Sequence, residues 1–193
     1  MNAQIDRPVV IVLAAGRGER FRAAGGTSGK LDALLAGRPV LDHVLQAVQD
    51  SGLPYHVVRP QHLKDAARDG MGDSIAAGVA ATANASGWLM LPGDLPLIQA
   101  STLRRMADAL MTLPADAHTV APQVQGQRAH PVGFRRACQP LLLALHGDEG
   151  ARRLLRQYPP RIIDIEDEGA VWDVDTPDRL TEAEARWLQR QAR

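Results

Sequence analysis

The chain has 193 residues with 22 basic and 22 acidic side chains, so no global field draws it to nucleic acid or an anionic membrane, and 4% aromatics leave little for base stacking. Its 45% hydrophobic and 23% charged content is that of a soluble globular protein, and its length suits one domain over residues 1–193. A single cysteine, Cys138, excludes an internal disulfide and a cysteine-based zinc site. No apolar run approaches the roughly 20 residues of a membrane span and no signal peptide precedes the first strand, so the expected location is cytoplasmic.

In chain order, Val9-Val10-Ile11-Val12-Leu13 is an unbroken apolar run that suits a strand buried on both faces. A loop rich in glycine and arginine follows, ending at Lys30. Pro39 starts a helix whose Leu41, Val44, Leu45 and Val48 recur at helical spacing as far as Asp50. Tyr55–Val58 reads as a short strand, and Gln61–Gly70 as either one helical turn or a loop. Gly70 and Gly72 open a helix that runs from Ile75 to Ala83, with Asp73 or Ser74 as its N-cap. Trp88–Leu91 is the next buried strand, and Ser101 caps a helix through Met111. Strands follow at 119–122 and 130–134, then short helices at 135–145 and 149–158. The last strands fall at 162–165 and 171–175, and Thr176-Pro177 opens a closing helix with Leu180, Ala183 and Leu188 on its buried side. Strands alternating with helices predict an α/β protein: a three-layer α/β/α, Rossmann-like arrangement with a mainly parallel sheet.

The opening loop sits where α/β proteins hold phosphates, beyond the carboxyl end of the first strand. It is not a dinucleotide fingerprint, because Phe21 stands where the third glycine would be. Nor is it a Walker A loop, since Ala24 and Leu31 occupy two required positions. What remains is a backbone nest with Arg17, Arg20 and Lys30 as cations, or a plain surface loop. Asp94 follows the 88–91 strand, and Asp173 and Asp175 lie at the end of the last one. If those strand ends are neighbours, Asp94 and Asp175 face one metal, and hard oxygen ligands favour Mg²⁺. Asp94 equally suits a self-capped turn, and Asp175 the N-cap of the closing helix. His130 sits in a turn, where a lone histidine is more often hydrogen-bonded than catalytic. The run 164–168 reads as a solvated turn without chemistry.

Taken together, Leu13-Ala14-Ala15-Gly16 with Gly18, Arg20 and Lys30, then Gly70-Met71-Gly72-Asp73-Ser74, Pro92-Gly93-Asp94-Leu95-Pro96, His130-Pro131-Val132, Gly147–Arg152 and Asp173-Val174-Asp175-Thr176-Pro177 resemble the nucleotidyltransferases of the molybdenum cofactor, in particular the cytidylyltransferase-like branch. The ordered set spans nearly the whole chain. The resemblance implies a GT-A-like nucleotidyltransferase fold that transfers a nucleoside monophosphate from an NTP to a phosphorylated acceptor and releases pyrophosphate. It implies catalytic roles for Lys30, Arg20 and Asp94, with Mg²⁺ held by Asp94 and Asp175. It implies nucleotide binding by Leu13, Ala14, Ala15, Gly16, Gly18, Gly72 and Ser74, and acceptor binding by His130, Asp148 and Arg152. Family members that use GTP tend to read Leu-Ala-Gly-Gly in the first loop; Ala15 here narrows the pocket and favours CTP. The implied partners are CTP, molybdopterin or a related phosphorylated acceptor, and a molybdoenzyme or its chaperone, with no nucleic acid and no membrane. Two other functions fit the same residues: transfer to a sugar or alcohol phosphate, and a non-catalytic nucleotide- or cofactor-binding regulator or chaperone. The chain departs from the family pattern in its long loop at 22–29, its short span 55–70, and Ala129 in place of a glycine.

Overall fold

The computed structural model describes residues 6–63 and 70–192. The strands are β1 (Val9–Leu13), β2 (Leu34–Leu35), β3 (Arg38–Pro39), β4 (Tyr55–Val58), β5 (Gly87–Pro92), β6 (Thr119–Val124), β7 (Gln127–Arg128), β8 (Val132–Arg135) and β9 (Arg161–Asp164). The helices are α1 (Glu19–Ala23), α2 (Val40–Ser51), α3 (Met71–Ala81), α4 (Ala100–Met111), α5 (Gln139–Leu143), α6 (Arg152–Gln157) and α7 (Pro177–Gln191). β2 and β3 form a small hairpin, and the other strands form one sheet in the order β4-β1-β5-β8-β6-β7, with β9 also paired to β6. β1 is parallel to both neighbours and β9 is parallel to β6, while β7 and β8 run the other way, so the sheet is mixed but mostly parallel.

The apolar run of β1 explains its central place. Successive side chains of a strand point to opposite faces, and here both faces are covered. Val10 and Val12 pack with Leu89, Leu91 and the apolar stripes of α2 and α4, including Val44, Val48, Leu103 and Met106. Val9 and Ile11 pack on the other face with Trp88, Met90, Ile75, Val79 and Leu142. α3 approaches this face closely because its contact residue is glycine: a Cβ at Gly78 would lie 2.5 Å from the Ile11 side chain. A third cluster, with Phe21, Leu35, Val40, Leu97, Val174 and Ala183, joins the long loop to α7.

Several sequence expectations need correction. Residues 171–175 are not a strand: Glu168–Val171 is a 3-10 turn and 172–175 is irregular. The run 164–168 is not simply solvated, because Ile165 and Asp167 are buried. The Asp167 carboxylate accepts from Gln99 N–H at 2.9 Å, Thr102 Oγ1 at 2.8 Å and Gly169 N–H at 3.0 Å, so buried charge is matched by donors at the start of α4. α3 starts at Met71 with Gly70 as N-cap, leaving Asp73 in its first turn rather than at the cap. α4 is capped by Gln99, which puts Ser101 inside the helix. The predicted 135–145 helix is shortened because β8 claims residues up to Arg135, and Leu188 of α7 is 53% exposed. Of the ambiguous segment 61–70, Pro60–His62 makes one 3-10 turn, and residues 64–69 lie outside those described.

Candidate functional site

The site lies at the carboxyl end of the parallel strands. β1 and β5 end side by side, Leu13 opposite Pro92, and the next residues are tied across the gap by Gly93 N–H to Leu13 C=O at 3.0 Å. Asp94 follows at once. Its carbonyl accepts from Val174 N–H at 3.0 Å, and this bond brings the loop before α7, and with it Asp175, to the same rim. Lys30 arrives from the opposite direction, at the end of the long loop. Gly18 makes this approach possible: it adopts φ +63°, and a Cβ there would lie 3.1 Å from the Lys30 Cβ. Only glycine takes that left-handed backbone at little cost.

Four charged groups converge as a result. The Lys30 ammonium donates to Asp94 Oδ2 at 2.5 Å and to Asp175 Oδ1 at 2.7 Å. Arg20, 84% exposed, reaches Asp175 Oδ2 at 3.2 Å, whereas the Lys30 and Asp94 side chains are each 16% exposed. Burial by itself would lower the lysine's pKa, but the charges and hydrogen bonds of Asp94 and Asp175 outweigh it and raise the pKa above the ordinary value. Burial would likewise raise the Asp175 pKa; Lys30 and then Arg20 reverse the sign and hold it below the usual carboxylate range. The second Asp94 oxygen, Oδ1, is buried without a hydrogen-bond partner. A buried carboxylate oxygen with no donor is expensive to leave bare, and it suits a cation.

Among the described residues no group of three or more His, Cys, Asp or Glu side chains could hold a metal by themselves. Asp94 and Asp175 offer two carboxylates with one orphaned oxygen. That donor set fits a hard divalent ion such as Mg²⁺, which commonly takes one or two carboxylates and completes its shell with water and substrate phosphates. Asp173, the other candidate ligand, pairs instead with Arg179 at 3.6 Å.

The remaining candidate residues fall into two groups. His130 stands beside Asp94: its backbone N–H donates to Ala170 C=O at 3.0 Å, and its Nδ1 is buried without a partner. Burial lowers its pKa against the pull of Asp94, Asp173 and a backbone bond to Met90, so the ring is neutral at pH 7. Leu13, Ala14, Ala15 and Gly16 run from the end of β1 into the loop, with Ala14 buried and Gly16 exposed. The second group is a separate knot at the amino end of α3. Asp73 Oδ2 accepts from Gly70 N–H and Gly147 N–H, both at 2.8 Å, and Gly72 N–H donates to Gly147 C=O at 2.7 Å. Ser74 is buried and donates to Gly70 C=O at 3.2 Å. A Cβ at Gly70 would lie 2.5 Å from the Asp148 carboxylate. Gly72, Ser74 and Asp148, read from sequence as parts of two subsites, are therefore one packed unit, and Arg152 is exposed nearby at the start of α6. Asp73 was legible only as a possible cap; its position in the first turn of a glycine-opened helix was the available signal for this bridging role.

The model of the MobA-like NTP transferase domain matches residues 10–162. The chain is similar to the purine catabolism protein PucB of Bacillus subtilis, at 30% identity over 192 aligned residues that cover 87% of this chain and 91% of that protein. Its fold is similar to that of Rv0371c from Mycobacterium tuberculosis, with TM-score 0.74 and 22% identity over 96% of this chain and 100% of the other. A second structure of Rv0371c, a complex with manganese, gives TM-score 0.68 at 21% identity over 93% and 98% of the two chains. The molybdopterin-guanine dinucleotide biosynthesis protein A of Archaeoglobus fulgidus has the same fold, with TM-score 0.59 and 15% identity over 94% and 99%. With its family model spanning the first loop, Lys30 and Asp94, this chain belongs to the MobA-like NTP transferase family of nucleotidyltransferases.

Proposed function

We propose that the chain is a Mg²⁺-dependent cytidylyltransferase that joins CMP from CTP to molybdopterin or a related phosphorylated acceptor. The observation that carries this reading is the Lys30 ammonium held between Asp94 and Asp175 at the rim where β1 and β5 end. In this reading the backbone from Leu13 to Gly18 cradles the triphosphate. Lys30 and Arg20 leave their carboxylates to neutralise charge that develops on the reacting phosphate. An acceptor phosphate oxygen forms the new bond to the α-phosphorus, the bond from that phosphorus to the β-phosphate bridging oxygen breaks, and pyrophosphate leaves with the electron pair. The attacking oxygen is already anionic, so the step needs positioning and charge stabilisation rather than a protein nucleophile. Mg²⁺ held by Asp94 and Asp175 would supply further Lewis-acid stabilisation of the phosphates.

His130 and Arg152 are assigned to the acceptor. The preference for a pyrimidine rests on Ala15, whose methyl group narrows the loop. The manganese complex of Rv0371c and the name of the Archaeoglobus protein support a divalent metal and a molybdopterin acceptor. In this reading the product passes to a molybdoenzyme or its chaperone. The test is pyrophosphate release with each NTP in turn against molybdopterin and a panel of sugar and alcohol phosphates. CTP with molybdopterin should give turnover that EDTA abolishes. Turnover only with a sugar or alcohol phosphate would overturn the acceptor, and nucleotide-dependent thermal stabilisation without turnover would replace the enzyme by a binding module.

A further inference from the structure

Asp94 and Asp175 are held in place by different means. Asp94 directly follows a central strand. Asp175 belongs to the irregular segment 172–175, which has no sheet ladder; the Val174 to Asp94 backbone bond, the buried Val174 side chain and the Lys30 and Arg20 contacts of Asp175 itself tie that segment to the rim. Further support comes from α7. The Trp172 ring has the Arg179 guanidinium 3.8 Å from its centroid and the Arg186 guanidinium also at 3.8 Å. These arginines are seven residues apart, about two turns of a helix, and both guanidiniums reach the one indole ring.

The same two arginines also hold the chain on both sides of Trp172. Arg186 pairs with Glu168 at 2.8 Å, and Arg179 pairs with Asp173 at 3.6 Å. Trp172 Nε1 donates to Arg179 C=O at 3.5 Å, and Thr176 Oγ1 accepts from Arg179 N–H at 3.3 Å at the helix start. A tryptophan that served only as apolar cover would not need two arginines over its ring that also pair with carboxylates before and after it in the chain.

We propose that Trp172 is a positioning residue for Asp175: the stack between Arg179 and Arg186 sets the carboxylate at the distance at which it meets Lys30 and shares the metal with Asp94. This inference rests on the reading of Asp175 as a metal ligand. The consequence is separable from folding, because Asp94 and the sheet lie outside the stack.

The test compares Trp172→Ala and Trp172→Phe with the wild type, by direct Mn²⁺ titration read by electron paramagnetic resonance and by the metal dependence of pyrophosphate release. Trp172→Ala should raise the Mn²⁺ half-saturation concentration and the KM for metal about tenfold, with kcat at saturating metal within about twofold, while Trp172→Phe keeps an aromatic face and stays near wild type. If Trp172→Ala does not fold, the Arg179→Gln/Arg186→Gln double variant, which removes both cations from the ring, should show the same split. Unchanged metal affinity in these variants, with only a lower Tm, would overturn the positioning role and leave the metal site standing. A wild-type protein without saturable Mn²⁺ binding would remove the metal reading, and the inference with it.

Discussion

The Lys30 ammonium lies 2.5 Å from Asp94 Oδ2, although 64 residues separate the two in the chain. A carboxylate pair that already holds a fixed cation has two possible occupants, lysine or metal, and nucleotide phosphates compete for both. Replacing the lysine by a neutral side chain, Lys30→Met, should therefore tighten Mn²⁺ binding measured without nucleotide. The same variant should lose Tm in EDTA and recover it when Mn²⁺ is added. Its nucleotidyl transfer should fall at least about a hundredfold, the usual cost of removing a group aimed at developing charge. Equal Mn²⁺ affinity in the two proteins would show that lysine and metal do not compete.

Asp73 makes an acid-side prediction. The Gly70 amide, then that of Gly147, stabilises its carboxylate and lowers its pKa, against the opposing effect of burial. A depressed folded-state pKa means that the stabilisation is complete above the ordinary carboxylate value and is lost as pH falls through the depressed one. Asp73→Asn should cost about 1 to 2 kcal/mol at neutral pH, the scale of a lost helix cap and charged hydrogen bond. The difference from wild type should shrink at about pH 3, where an ordinary carboxylate is mostly protonated. Urea unfolding at the two pH values measures both.

Two glycines of the same knot should respond differently. A Cβ at Gly72 would sit 2.7 Å from the His146 backbone, so Gly72→Ala must push α3 off that loop and should cost about 2 to 3 kcal/mol. Gly147 has open space around it but φ +66°, so Gly147→Ala should cost about 1 to 2 kcal/mol and Gly147→Asn less. Chemical denaturation of the three variants gives the order. A Gly147→Asn protein less stable than Gly147→Ala would contradict the conformational explanation.

Asp167 should behave as a structural carboxylate. It is 6% exposed and accepts hydrogen bonds from Gln99, Thr102 and Gly169, so Asp167→Ala leaves several donors bare. A loss of about 2 to 4 kcal/mol is expected in equilibrium unfolding. Loss of only a few tenths would mean that water replaces the carboxylate.

Much of the layered fold could be read locally. The run Val9–Leu13 had to be covered on both faces, and the helical stripes of α2 and α4 cover one of them. The segment 171–175 misled because Val171, Trp172 and Val174 have the composition of a strand. Trp172 instead finds its partners on α7, and Val174 is buried beside Phe21 and Ala183. The start of α3 was misjudged for a related reason: Asp73 and Ser74 have the composition of an N-cap, but the helix already begins at Met71, and Gly70 and Gly72 let the 146–148 backbone pack against its end. The charge run at 164–168 concealed Asp167, since composition cannot tell a solvated carboxylate from one surrounded by distant donors.

The sequence by itself determined the local grammar: which stretches are buried strands, where glycine lets the chain turn, and which charged residues follow strand ends. Residue identity and short-range periodicity set these features, and neither needs a distant partner. Only the tertiary structure decided that Lys30 reaches across 145 residues to Asp175, and that Asp73 joins α3 to Gly147. The Lys30 contact depends on the parallel alignment of β1 with β5 and on the Asp94 to Val174 backbone bond, which bring chain segments of large sequence separation to one rim. Such pairings follow from how the layers pack, and no local pattern in the chain encodes them.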